Sequence, residues 1–174
     1  MQILAAPFLS ASAGDYESIA TTTVGSGGSS TVTFSSIPST YKHLQIRMHD
    51  MPSADHNINM RFNSDTGSNY SYHNLSGNGS TAVSNASAPD SIMYLPGTSG
   101  GTGYPLVVIC DILDYADTNK YKTVRALGGN DNNSTQGVIA FRSNNWRSTS
   151  AVTTITLTGS FAQYSSFALY GIRG

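Results

Sequence analysis

The chain has 174 residues, of which 74 are Ser, Thr, Asn or Gly and only 11% are charged, against roughly 25% in an ordinary domain. The length suits one domain with a hydrophobic core, and the 39% hydrophobic content argues against a disordered chain. The net charge of −1 comes without a basic block, which argues against nucleic-acid binding, and no apolar run approaches the roughly 20 residues of a membrane span.

Residues 1–15 are predicted to form an N-terminal arm that precedes the folded domain. The stretch is similar to a short signal peptide, but it lacks a positively charged start and Pro7 interrupts its apolar run. We therefore expect an uncleaved arm that packs on another subunit and not on its own core. Its apolar side chains, which show no strand period, are Ile3, Leu4, Phe8 and Leu9.

Residues 16–174 are predicted to form a single all-β domain, because Ser, Thr, Asn and Gly disfavour helices and suit strands joined by turns. Apolar and polar residues alternate with a period of two, which is typical of half-buried strands, in residues 31–34, 43–49, 57–62 and 152–158. Further strands are predicted at residues 16–24, 106–113, 121–127, 138–141 and 167–172, and a mobile loop at 76–88. Nine to eleven short strands predict an antiparallel β-sandwich, jelly-roll-like in its topology.

The segment of residues 106–113 differs from the others because it is apolar on both strand faces, apart from Asp111. This pattern predicts a central strand that is covered on both sides. The lone cysteine, Cys110, lies in this segment and is interpreted as a small buried hydrophobe. A single cysteine also excludes an intrachain disulfide.

A hairpin is predicted after this segment, with its turn at residues 116–120. Pairing Tyr115 with Tyr121 places Asp111 opposite Arg125 on the same face. A carboxylate inside an apolar run is costly to bury unless it is paired. We therefore predict a structural ion pair between Asp111 and Arg125.

No residue pattern indicates catalysis, a cofactor or a metal. Asp111 and Asp114 have opposite strand parity, which argues against the two-carboxylate cleft of a glycan-cleaving enzyme. His43 and His49 lie about 20 Å apart along one strand, too far to share a metal. Each of two Asx-rich loops offers a single carboxylate, whereas calcium prefers several. We predict no catalytic, cofactor-binding or metal-binding residues.

The alternative function is carbohydrate binding, with Trp146 as an aromatic platform for sugars. An exposed Trp146 beside polar loops would support this hypothesis. A buried Trp146 would instead be a core or interface anchor.

Four segments, in this order along the chain, resemble a family of small structural proteins of tailed bacteriophages, including phages of marine bacteria. They are residues 33–47 (TFSSIPSTYKHLQIR), 61–70 (RFNSDTGSNY), 111–123 (DILDYA through KYKT) and 164–172 (YSSFALYGI). The resemblance implies a non-enzymatic component of the virion surface, made in the host cytoplasm, which is either a capsid decoration or part of a tail or fibre appendage. Its expected partners are other virion proteins and itself, in a closed ring for which we favour a trimer, and a host glycan under the alternative. Neither nucleic acid nor membrane insertion is expected.

Overall fold

The computed structural model describes residues 15–97, 104–133 and 137–174, which form twelve strands and no helix. The predicted arm residues Ile3, Leu4, Phe8 and Leu9 lie outside this range. The strands are β1 (Tyr16–Thr23), β2 (Ser29–Phe34), β3 (His43–Asp50), β4 (Ile58–Phe62), β5 (Tyr70–Gly77), β6 (Ala82–Asp90), β7 (Met93–Leu95), β8 (Leu106–Leu113), β9 (Lys122–Asn130), β10 (Val138–Trp146), β11 (Ile155–Phe161) and β12 (Ser166–Ile172).

The strands form two antiparallel sheets, which confirms the predicted β-sandwich. The larger sheet has eight strands in the order β1-β12-β3-β8-β9-β10-β5-β6, and the smaller has four in the order β2-β11-β4-β7. Eight strands pair in a nested way, with β1 on β12, β2 on β11, β3 on β8 and β4 on β7. The hairpins β5–β6 and β9–β10 are inserted into this scheme and extend the larger sheet beyond β8.

The core lies between the two sheets and takes one face from each of their central strands. The predicted alternation is confirmed in β3, where Leu44, Ile46 and Met48 are buried, and in β4, where Met60 and its apolar neighbours point inward. Cys110 is buried as predicted, and its burial raises the pKa of the thiol.

The prediction of a loop at residues 76–88 is wrong, because β5 runs into a tight turn and returns as β6. The side-chain oxygen of Asn78 accepts hydrogen bonds from the backbone N–H groups of Ser80 and Thr81, at 3.1 and 2.9 Å. The strand β6 lies at the sheet edge and is largely exposed on both faces. An edge strand of this kind needs no apolar alternation, which removes the signal that sequence patterns rely on.

The Asx-rich loop between β4 and β5 is held by the carboxylate of Asp65. One oxygen accepts from the backbone N–H of Gly67 at 2.8 Å, and the other accepts from Asn69 Nδ2 at 2.9 Å and Trp146 Nε1 at 2.7 Å. Burial raises the pKa of Asp65, but these hydrogen bonds outweigh it and leave the pKa below its ordinary value. Asp65 therefore joins the loop to the end of β10.

Replacing Asp65 by Ala is expected to lower the free energy of unfolding by about 1–3 kcal/mol, because the buried indole N–H loses its acceptor. The matched control is Asp131→Ala, which among the described contacts removes a hydrogen bond from the backbone N–H of Asn133 in an exposed turn. We expect the control to cost less than about 0.5 kcal/mol. Urea denaturation measures both, and equal losses would contradict the role given to Asp65.

Candidate interaction surface

Apolar side chains continue onto the outer face of the larger sheet, which is the face turned away from the smaller sheet. One row crosses strands β8, β9, β10 and β5, and each member is the direct cross-strand neighbour of the next. These side chains are 43–58% exposed. In strand order they are Ile109, Leu127, Phe141 and Leu75.

A groove runs beside this row because glycines replace two side chains of the next row. There Val107 pairs with Gly129, Gly129 with Ile139, and Ile139 with Gly77. The groove has a volume of about 710 Å³. A Cβ at Gly129 would lie 2.5 Å from the carbonyl oxygen of Val138, so only glycine fits there. We call the six exposed residues of the two rows the apolar patch: Leu75, Val107, Ile109, Leu127, Ile139 and Phe141.

The strand β8 shows why the sequence pattern was only half right. Its inward residues, such as Val108 and Cys110, are completely buried, whereas Val107 and Ile109 are 51% and 44% exposed. The prediction that this strand is covered on both sides is therefore wrong within the described residues, which cover one face only. An apolar strand face that the described residues leave open is typical of an interface.

The other end of the same face is polar and internally hydrogen-bonded. The guanidinium of Arg47 lies 5.3 Å from the ring centroid of Tyr16 and 4.9 Å from that of Tyr170. Arg47 Nε donates to Gln45 Oε1 at 2.8 Å, and Gln45 Nε2 donates to Asp111 Oδ1 at 2.8 Å. These groups satisfy one another, so the apolar end of the face is the part that gains most from a partner.

The predicted pairing of Asp111 with Arg125 is found in the strand register but not as an ion pair. The two residues lie opposite each other on β8 and β9. Asp111 accepts from Gln45, while Arg125 Nη1 donates to Ser143 Oγ at 2.6 Å. No ion pair within 4.0 Å joins the two described side chains. Since this face is open to solvent, Asp111 is only half-buried and a neutral donor is enough.

The neighbouring carboxylate, Asp114, does form ion pairs. It lies 2.8 Å from Lys120 Nζ and 3.0 Å from Lys42 Nζ. Hydrogen bonds from Lys120 and then Lys42 lower the pKa of Asp114 to about 2. Asp114 sits in the turn after β8 with a φ of 49°, outside the strand that carries Asp111. This placement supports a structural role for Asp114.

Trp146 lies in the core and is 2% exposed. Its ring packs edge-to-face on Phe62, with centroids 5.5 Å apart, and stacks near Tyr70 at 6.4 Å. The predicted sugar platform at Trp146 is therefore wrong, because a surface ligand cannot reach a side chain enclosed between β4, β5 and β10. An exposed Trp146, which would have supported carbohydrate binding, is therefore not observed.

A buried His–Asp–Ser cluster, which sequence reasoning missed, links β3 to the turn before β12. His56 Nε2 lies 3.1 Å from Asp50 Oδ2, and Ser165 Oγ donates to Asp50 Oδ1 at 3.1 Å. In a catalytic triad the histidine lies between the carboxylate and the hydroxyl, whereas here the carboxylate lies between the other two. Ser165 Oγ also accepts from the backbone N–H of Met51 at 2.9 Å. These contacts describe a structural network.

The described residues contain no group of three or more His, Cys, Asp or Glu side chains that could hold a metal ion. They also contain no helix long and apolar enough to cross a membrane. Comparisons with protein-family models, with curated proteins and with solved structures found no match to this chain.

Arg125→Ala is expected to lower the free energy of unfolding by less than about 1 kcal/mol, because the side chain is exposed and its contacts are screened. Lys122→Ala on the same strand provides the contrast. Lys122 is completely buried, and its ammonium donates to the backbone carbonyls of Asp117, Lys120 and Thr149. Leaving these acceptors unpaired costs about 1–3 kcal/mol or more. Chemical denaturation of both variants tests this, and an Arg125 loss as large as that of Lys122 would contradict the assignment.

The His56 cluster predicts that stability falls as the pH rises above about 6.5. Burial lowers the pKa of His56, but its contacts with Asp50 and the Ala54 carbonyl, and the nearby charge of Asp55, outweigh it and raise the pKa. The contribution to stability is therefore complete below the unfolded pKa of about 6.5 and is lost as the pH rises through the folded pKa. Denaturation from about pH 6 to 9 should show this loss in the wild type and in the exposed-histidine control His73→Gln, but not in His56→Gln. An unchanged pH profile in His56→Gln would refute it.

Proposed function

We propose that this protein is a non-enzymatic structural component of a tailed-bacteriophage virion and that it acts through contacts between subunits. The observation that carries the proposal is the apolar patch. Six large side chains lie together on one sheet face with 43–62% of their surface exposed. Contiguous exposed apolar surface of several hundred Å² marks interaction sites on soluble proteins.

The strand order supports the proposal by analogy of fold. The nested pairing of β1 with β12, β2 with β11, β3 with β8 and β4 with β7 is the arrangement expected of a jelly roll, here with two inserted hairpins. Viral capsid domains often use this topology, although lectins do too, so the fold alone does not determine the function. The resemblance of four sequence segments to phage structural proteins favours the virion.

The distribution of charge supports a structural role as well. Asp50, Asp65 and Asp114 each have partners within the fold, as described above. Lys122 is held by backbone carbonyls. A capsid decoration and a tail or fibre component would both use the same feature, a low-charge face that packs on neighbouring subunits.

Charged substitutions in the apolar patch are expected to block incorporation into the virion. Leu127→Asp and Ile139→Asp place a carboxylate on a surface that a partner would desolvate, which disfavours association. Both residues are more than half exposed, so the melting temperature should change little. Thr31→Asp on β2, an exposed position of the smaller sheet, is the matched control.

Particles purified from infected cells are probed with antibody labelling in the electron microscope and by cosedimentation. Wild type and Thr31→Asp should label the particle surface, while the two patch variants should stay in the supernatant. Absence of the wild-type protein from particles would overturn the virion assignment. Full incorporation of both patch variants would show that the patch is not the interface.

A further inference from the structure

We infer that the groove of the apolar patch receives residues 3–9 from the N-terminal segment of a second copy of this chain. The inference rests on the proposed function, because it names the partner that covers the patch. It joins two features that the described fold leaves separate: an apolar groove and an apolar segment of the same chain.

The chemistry of the two parts matches. Residues 1–14 contain no charged side chain, and Ile3, Leu4, Phe8 and Leu9 are large and apolar. The groove is lined mainly by apolar side chains and glycine backbone, together with four polar residues. Its volume of about 710 Å³ lies in the range of about 300–1,000 Å³ that encloses a ligand of drug size, so several side chains fit. The polar lining residues are Asn78, Ser80, Asn130 and Asp131.

The position of Asp15 fixes where the arm leaves the domain. Its carbonyl accepts a hydrogen bond from the backbone N–H of Arg173 at 3.0 Å, so the chain is still aligned with β12 just before β1. Following the pairing across the sheet, the groove residue Gly129 shares a row with Ser166 at the far end of β12. The arm therefore leaves from the end of the sheet opposite to the groove.

Chain length favours the arm of a neighbour over the protein's own arm, because only a neighbour can place all four apolar side chains in the groove. Seven residue steps along the strands and four strand spacings separate Asp15, which pairs with Arg173, from Gly129, which amounts to about 30 Å with the usual rise and spacing. The six residue steps from Asp15 to Leu9 span at most about 22 Å, and the seven to Phe8 at most about 25 Å.

Neither Phe8 nor Leu9 can therefore reach Gly129, or Ile139 beyond it, in the groove of its own chain. Only the edge of the groove at Ile109, about 22 Å from Asp15, lies within reach of Phe8. If the arm folded back over its own domain, Phe8 and Leu9 would lie mainly over the polar end of the face, near Arg47 and Gln45. The groove of a second copy has no such restriction and can take all four apolar side chains. Each copy then offers one segment and one groove, a head-to-tail contact that closes into a ring when the rotation permits.

The decisive experiment mixes two full-length variants that are damaged in opposite halves of the contact. Leu4→Asp/Phe8→Asp alters the segment and keeps the groove, while Ile139→Asp alters the groove and keeps the segment. Light scattering after size exclusion, at about 50 µM, should show an oligomer for wild type and for Thr31→Asp, and monomers for each variant alone. We expect the dissociation constant of each variant alone to rise at least tenfold. An equimolar mixture should recover a 1:1 heterodimer, because one intact segment meets one intact groove.

Cysteine pairs identify the source of the segment. Eleven residue steps separate Leu4 from Asp15 and span up to about 40 Å, so residue 4 can reach the groove of either copy. Leu4→Cys with Ile139→Cys should give covalent oligomers on oxidation, whereas Leu4→Cys with Thr31→Cys should not. The native Cys110 is buried and does not interfere. Thermal melts monitored by circular dichroism confirm that every variant is folded.

Three outcomes would overturn the inference. A cross-linked species of monomer mass that has lost both new thiols would mean that the groove holds the chain's own arm. A wild-type oligomer with neither complementation nor cross-linking would mean that another surface covers the patch. A monomeric wild type would exclude exchange between copies. In each case the virion assignment is decided separately by the particle-labelling experiment.

Discussion

The two sheets differ in size, because four strands pack against eight. This difference determines which parts of the larger sheet are covered and which stay exposed. The smaller sheet covers the inner face of the larger one near β3 and β8, where the core is apolar. Farther out, the inner face becomes polar: Arg142 Nη1 donates to the Leu95 carbonyl at 2.8 Å, and Arg142 Nε donates to Asn74 Oδ1 at 3.1 Å. On the outer face, no second sheet of the described residues covers the larger sheet, and these residues leave the apolar patch exposed. Burying a large apolar side chain contributes about 1.5–3 kcal/mol, so a partner that covers the patch gains a substantial driving force.

Several carboxylates stabilise the sandwich by joining neighbouring elements of the fold. The carboxylate of Asp65 joins a loop to β10, that of Asp114 neutralises two lysines beside the β8–β9 turn, and that of Asp50 ties β3 to the turn before β12. Breaking the contacts of Asp50 or Asp65 would leave a buried polar group unsatisfied. Asp114 and its two lysines are more exposed, so their pairing contributes less to stability. The chemistry available at the surface is therefore mainly apolar contact and neutral hydrogen bonding, which suits a protein that works by assembly.

The two inserted hairpins carry most of that surface. Leu75 lies on the first hairpin, Leu127, Ile139 and Phe141 lie on the second, and only Val107 and Ile109 belong to the eight nested strands. The insertions thus enlarge one sheet without enlarging the other, and the sandwich gains a face that its own core does not use. Exchange of N-terminal segments would occupy this face and would couple the stability of the ring to protein concentration.

Local pattern and turn chemistry were enough for much of the fold. The alternation in residues 43–49 identifies β3 because only one face of that strand reaches the core, and the turn at residues 116–120 fixes Asp111 opposite Arg125 because a hairpin register follows from its loop. Non-local packing decided the rest. Gln45, 66 positions away, is the partner of Asp111, and Trp146 is buried because β4 and β5 close over it. Likewise, the apolar pattern of residues 106–113 favours a strand that is covered on both faces. Whether a second layer covers the outer face depends on how many strands the rest of the chain places there. A local sequence pattern cannot contain that number.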